Sequence, residues 1–167
     1  MKKVWGLLLF LFLVFPVNSD VFTISKQSGQ DLPNLTPPSV SQPVCFTQNK
    51  GQWNPEFQFI GNTPFGQIGF GKESIYYHLI SSDKNQNQVV TLSLVNADMS
   101  QLQGIDTLPY AYHYFIGNNV DTWITNVQNF RKIQYKEVYP GIDLLYFYDK
   151  ENPKYEFYVK PGVNPNQ

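Results

Sequence analysis

From Cys45 onward, aromatic and β-branched residues come in short runs separated by Gly, Pro, Asn and Asp. The runs are 57–60, 67–70, 74–80, 88–95, 110–116, 133–139, 142–148 and 154–160. None keeps the i, i+3, i+4, i+7 spacing of a helical apolar face, and short runs bounded by turn formers are strands. In 88–95, Val90, Leu92 and Leu94 share one face, with Thr91 and Ser93 on the other. In 154–160, Tyr155, Phe157 and Val159 alternate with Glu156, Tyr158 and Lys160. Segment 82–88 is a polar loop between two strands of a hairpin. Segment 149–153 folds 142–148 back on 154–160, which predicts that Leu145 and Phe147 share a face with Tyr155 and Phe157. Cross-strand aromatic pairs of that kind contribute about 0.2–1 kcal/mol each. No internal repeat supports propeller blades. The expected fold is all-β: an antiparallel, β-sandwich-like domain over 45–167. The Pro-Gly and Asn-Pro steps at 161–165 signal a turn into another strand, so the module is expected to be truncated at its C-terminus, with more to follow Gln167.

The first 44 residues break this pattern. Lys2 and Lys3 precede an unbroken apolar run over 4–17, then small or modest residues as far as Ser19. That order is a secretory signal peptide over 1–19, with cleavage between Ser19 and Asp20. At about 14 residues the run falls short of the roughly 20 that span a bilayer. No transmembrane segment is expected there or later. Residues 20–44 read as a Pro/Ser/Gln-rich linker, expected to be a flexible or partly extended arm with almost nothing to build an apolar face. It holds the sequon Asn34-Leu35-Thr36.

Loss of Lys2 and Lys3 with the leader lowers the basic count from 12 to 10, against 13 acids, a formal net charge of −3. No like-charge run exists, which argues against a nucleic-acid partner. The polar surface is instead rich in Asn and Gln, as in domains that live outside the cell. Export, then, is to the outside or the cell surface.

Cys45 stands alone, so no disulfide staples the core; beside Phe46 it reads as a small buried apolar residue. The stretch Tyr139-Pro140-Gly141-Ile142 fits a type II turn, because Pro fixes φ and Gly accepts φ > 0. Asp143, next in line, is read as a structural carboxylate accepting N–H bonds of the turn or of a neighbouring strand. Its rival role is general acid or base, which needs a second group in a contrasting environment. Glu137, Asp149 and Glu156 are the nearest acids, and all are expected at solvent-facing or loop positions. His78 and His113 each lie in an aromatic strand, without the spacing of a metal site. Neither GxSxG nor SxxK is present. Asn118, Asn119 and Asp121 concentrate oxygens in 117–123 without EF-hand order, so a plain turn is the reading there. The Gly-rich 65–72 lacks the phosphate-loop pattern. No catalytic set, metal site or cofactor emerges. Tyrosines cluster in three strands as Tyr76, Tyr77, Tyr110, Tyr112, Tyr114, Tyr146 and Tyr148. Of these, Tyr76, Tyr77, Tyr110 and Tyr112 are candidate platforms for stacking sugar rings, against the alternative of buried rings with hydroxyls at the rim.

Four segments, "NKGQW" (49–53), 112–127, "YKEVYPGIDLLYFYD" (135–149) and 154–165, resemble the N-terminal domain of large secreted bacterial surface proteins. Those proteins carry seven-bladed β-propeller (SBBP) repeats, PKD or other immunoglobulin-like modules, and sometimes a sorting domain for surface attachment. The resemblance spans about 45–167, and Tyr-Pro-Gly-Ile-Asp is its most specific part. It implies a surface-protein module and carries over no established catalytic residue, while structural turn roles are expected for Tyr139, Pro140, Gly141, Asp143, Gly51, Trp53 and Trp123. His113 stands where the family pattern tends to have Asn, which weighs against a catalytic histidine.

The leading expectation is a non-catalytic N-terminal module of an exported, cell-surface multidomain protein in a structural or adhesive role. Its partners would be further domains of the same polypeptide, and glycans or cell-surface proteins. The alternatives are a carbohydrate-binding module using exposed tyrosines, and a hydrolase using Asp143 with Glu156.

Overall fold

The computed structural model describes residues 2–6, 22–27, 44–80 and 87–164. Eleven strands lie among them: β1 (Lys2–Gly6), β2 (Phe22–Gln27), β3 (Phe46–Gln48), β4 (Phe57–Thr63), β5 (Gly66–Gly71), β6 (Ile75–Ile80), β7 (Asn87–Leu94), β8 (Leu102–Tyr114), β9 (Ile124–Tyr139), β10 (Ile142–Asp149) and β11 (Asn152–Val159). One 3₁₀ turn, Val120–Thr122, precedes β9. The fold is all-β, and every strand pairing is antiparallel.

Hydrogen-bonded neighbours run β1-β11-β10-β9-β3-β4-β5-β6-β7-β2, with β8 alongside β9. The sixteen-residue β9 is the junction. One of its edges pairs with β8 from Ile124 to Tyr135. The other is shared: β3 takes Asn129 and Phe130, and β10 takes Lys132 to Tyr139. A single antiparallel sheet therefore curls into a half-barrel, and its two arms face each other in sandwich fashion.

The core fills the space between the arms. Phe46 is fully buried, stacked on Tyr148 at 4.6 Å and edge-on to Phe70 at 5.5 Å. Phe70 meets Tyr146 at 5.0 Å. Tyr135 and Tyr146, both essentially inaccessible, are the largest side chains buried there. Leu94 is in the core, with Val90 and Leu92 packed against it, the face that alternation assigns.

Several sequence expectations need correction. In the hairpin of β10 and β11, Tyr146 pairs with Tyr155 and Leu144 with Phe157, while Leu145 faces Glu156 and Phe147 faces Lys154. The apolar pairing is thus one residue out of step with that expected, because β10 is apolar on both faces and alternation cannot choose between them. Strands β6 and β7 do pair, from Ile75↔Leu92 to Ile80↔Asn87, but most of their connecting loop lies outside the described residues. Within the linker, Phe22–Gln27 is not a bare arm: it adds to the edge of β7. Lys2–Gly6, in the stretch expected to be a leader, pairs with β11. The Ser19–Asp20 bond, the sequon at Asn34 and Gln167 lie outside the described residues.

Truncating Phe46 to Ala should destabilise the domain by about 3–5 kcal/mol, because two aromatic contacts across the arms are replaced by a cavity. Urea unfolding followed by intrinsic fluorescence measures this. A loss below about 1 kcal/mol would show that the arms do not close on this ring.

Candidate functional site

The Tyr139–Asp143 junction is organised by a break in the strand ladder. Tyr139 pairs with Ile142 and Tyr135 with Leu144, so residues 136–138 of β9 stand opposite Asp143 alone. Extra residues on one strand make a bulge, and their backbone groups lose ladder partners. Here Glu137 takes φ +51°, an uncommon conformation for a residue with a side chain. Its N–H donates to Asp143 Oδ1 at 2.8 Å, and Gln134 Nε2 donates to Asp143 Oδ2 at 3.0 Å. Glu137 in turn accepts from the Gly141 N–H at 2.7 Å and pairs with the Lys160 ammonium. The Lys160 N–H closes the loop by donating to the Gly141 carbonyl at 2.9 Å. Gly141 has φ +74°, and a Cβ there would lie 2.4 Å from Val163 Cγ2. Pro140 completes the turn between Tyr139 and Gly141.

Asp143 also lines a cleft of about 380 Å³, in which it is the sole carboxylate. Glu156 is not solvent-facing as expected. It is buried, 3% exposed, and accepts the Tyr158 hydroxyl at 2.6 Å. Asp149 lies in the exposed turn and pairs with Lys154. Both oxygens of Asp143 are held by donors from β9, and the cleft presents no second acid across from it.

The tyrosines divide. Tyr77 is buried in the core and its hydroxyl meets that of Tyr146 at 3.1 Å, so this candidate platform offers no face to a sugar and has the buried ring of the other reading. Tyr110 is 39% exposed and lies tilted against half-buried Tyr112 at 5.8 Å. Tyr112 borders Cys45, whose buried thiol is pushed up in pKa by desolvation and so is a poor nucleophile. Tyr76 is half-buried, edge-on to Phe57 at 5.3 Å, and donates to Glu56 Oε1 at 2.8 Å. Burial first, then Glu56, raises its pKa to about 12.

His78 is buried, and its Nδ1 has no hydrogen-bond partner. Desolvation lowers its pKa. His113 is exposed, stacks on Phe115 and accepts the Asn126 N–H at 3.4 Å. Among the described residues, no three His, Cys, Asp or Glu side chains gather in a metal-binding group, and no helix is long and apolar enough to cross a membrane. Asn119 caps the 3₁₀ turn by accepting the Asp121 N–H, and neighbouring Asn118 and Asp121 are exposed. Trp123 donates its indole N–H to the Gly117 carbonyl at 3.2 Å and meets Phe115 at 5.0 Å.

A site that residue-by-residue reading missed is built by the loop between β3 and β4. One side chain, Asn49, organises it. Its Nδ2 donates to the carbonyls of Phe57, Asn54 and Trp53 at 2.7, 2.9 and 3.4 Å. Its Oδ1 accepts the N–H groups of Gly51 and Trp53 at 2.9 and 3.3 Å. Gly51, at φ +111°, supplies the turn, and Trp53 packs edge-on to Tyr114 at 5.7 Å. Behind this loop lie two cavities of about 390 and 380 Å³. Gln48, Phe59 and Leu102 line the first, and Glu56, Lys72, Glu73 and Tyr76 the second; Pro55 and Gln58 belong to both. The sequence signal was "NKGQWNP", a loop-forming run of Asn, Gly and Pro.

Residues 46–167 match the family described as a domain of unknown function, DUF7948. No curated protein and no solved structure matches the chain.

Two outcomes follow from the geometry. Asp143→Ala leaves the Glu137 N–H unpaired and should cost about 1–3 kcal/mol, whereas Asp143→Asn keeps an acceptor for it and should cost less. Equal losses in urea unfolding would show that the bulge does not depend on that acceptor. For His78 the folded-state pKa lies below that of the unfolded chain, about 6.5. The unfolded state therefore takes up the proton first. The contribution is fully present above pH 6.5 and is lost as pH falls through the lowered value. Urea midpoints between pH 7.5 and 4.5 should show this loss in the wild type and not in His78→Asn.

Proposed function

The chain belongs to the DUF7948 family, a domain of unknown function, and from that premise we propose that it is the non-catalytic N-terminal module of an exported, cell-surface multidomain protein. Its role is structural or adhesive: it works by packing and docking. The observation that carries the reading is the leader-type N-terminus, two lysines and an apolar run ending near Ser19, ahead of a Pro-rich linker and the β module. The engagement of Asp143 supports the non-catalytic part, since each of its oxygens already accepts a hydrogen bond from β9, one from a bulge N–H and one from a side-chain amide. The segments that carry the resemblance to secreted proteins with SBBP repeats or PKD modules also act here as scaffold. "NKGQW" is the loop braced by Asn49, and "YPGID" is the bulge braced by Asp143. Further domains of the same polypeptide, SBBP repeats among them, are the partners this reading names. Cleavage after Ser19 would take β1 away and open the outer edge of β11 to another strand.

Expression of the gene in a bacterial host with a C-terminal epitope, followed by fractionation and N-terminal sequencing, tests the proposal. The expected product begins at Asp20, lies outside the cytoplasm and is digested by protease added to intact cells. A cytoplasmic product that retains Lys2 would overturn it.

A further inference from the structure

We propose that the groove formed by the two cavities behind the Asn49 loop, running from Leu102 past Gln58 to Tyr76, binds a neutral oligosaccharide. The inference names a ligand for the adhesive role and rests on that reading only for its biological setting.

Size and shape come first. Each cavity, at about 390 and 380 Å³, falls within the range of small-ligand sites. Because Pro55 and Gln58 belong to both, the cavities adjoin and together suit a ligand of more than one ring.

The polar chemistry selects the class. The carboxamides of Gln48 and Gln58 are half-buried, and neither makes a side-chain hydrogen bond among the described residues. A carboxamide both donates and accepts, as does each hydroxyl of a sugar. Tyr76 supplies the apolar platform. Its ring is fixed by Phe57 on one side and its hydroxyl by Glu56, so little side-chain freedom remains to be lost on binding. The wall of the groove is held just as firmly by the five bonds of Asn49.

Charge and topology narrow the choice. No ionisable side chain lines the first cavity, and Glu56 and Glu73 outweigh Lys72 in the second, which disfavours uronic and sialic acids. An extended peptide has no backbone ladder to join here, since β4 is already paired on both sides, with β3 and β5.

Calorimetric titration of the full chain with cellohexaose, mannohexaose and chitohexaose, and with hexagalacturonate as the acidic control, tests the site. At least one neutral hexaose should bind and the acidic one should not. Gln58→Ala and Tyr76→Ala should each weaken binding by about ten-fold or more, a loss of about 1.4 kcal/mol, with the far-ultraviolet circular dichroism unchanged. Tyr110→Ala should leave affinity intact. If Tyr76→Ala does not fold, Gln58→Ala and ligand-induced amide shifts at Gln48, Gln58 and Tyr76 decide the matter. Failure of all three neutral hexaoses to bind the folded chain overturns the site. So does binding that depends on Tyr110 and ignores Gln58. Fractionation reads the other proposal separately: a cytoplasmic chain that binds a hexaose overturns export and supports the groove, and an exported chain that binds none does the reverse.

Discussion

Three tyrosine hydroxyls tie one arm of the curled sheet to the chain on the other side of the core, each ending on a backbone carbonyl: Tyr135 on Gly71, Tyr139 on Val95 and Tyr148 on Asn62, all at 2.9 Å. A curled sheet has to stop its arms from sliding past one another, and this chain has one cysteine and no disulfide to do it. Apolar burial alone is non-directional. A buried phenol adds direction, because its hydroxyl stays near the ring plane and must find an acceptor or forfeit about 1–3 kcal/mol. Burial also drives the pKa of Tyr135 and Tyr148 upward, which keeps both hydroxyls protonated as donors over the whole stable pH range. Ring volume fills the core while the hydroxyl fixes the alignment of the arms.

That use of tyrosine explains how the chain keeps a high aromatic content without a broad sticky surface. Tyr77, Tyr135 and Tyr146 are spent on the interior, as a bonded pair and a carbonyl clasp. Tyr76, Tyr110 and Tyr112 remain towards the outside, and of these three Tyr76 lines the second cavity of the groove, beside Gln58, Lys72 and Glu73. Tyr110 and Tyr112 lean on each other, with the Tyr112 hydroxyl beside buried Cys45.

The strands were legible because each pairs a period-two pattern with turn formers at its ends, and β4 to β7, β10 and β11 fall where that pattern places them. What was illegible has physical causes. Strand β3 is three residues long, too short to show a period. The first half of β8, over Leu102–Pro109, is half-exposed on both faces and bent by Asp106 at φ +60°, so no alternation survives in its sequence. Strand β9 continues back to Ile124 through polar residues whose pairing is dictated by β8 and β3, not by their own pattern. Glu156 was misread because a carboxylate in an alternating strand is normally on the wet face; here that face is covered as well. The turn role of Gly141 and the placement of Asp143 could be read from local geometry alone, whereas the groove depends on Leu102, Gln58 and Tyr76 meeting from three strands.

Asn49 and Asp143, 94 residues apart in sequence, solve the same problem by the same means. In both places the ladder is interrupted, by a loop entering β4 and by a bulge in β9, and backbone N–H groups are left without strand partners. A short side chain with its oxygen two or three bonds from the backbone can reach such donors without long-range flexibility, which is why Asn and Asp are suited to these positions. Asn49 needs the amide, because its two N–H donors serve the three carbonyls around Nδ2, one of them shared, while Oδ1 receives from two N–H groups. Asp143 needs only acceptors, because both of its partners donate. The choice between amide and acid at each position therefore follows from counting donors and acceptors in the gap. A carboxylate in a strand that begins straight after a Pro-Gly turn is the expected product of that count, with no catalytic demand required to place it there.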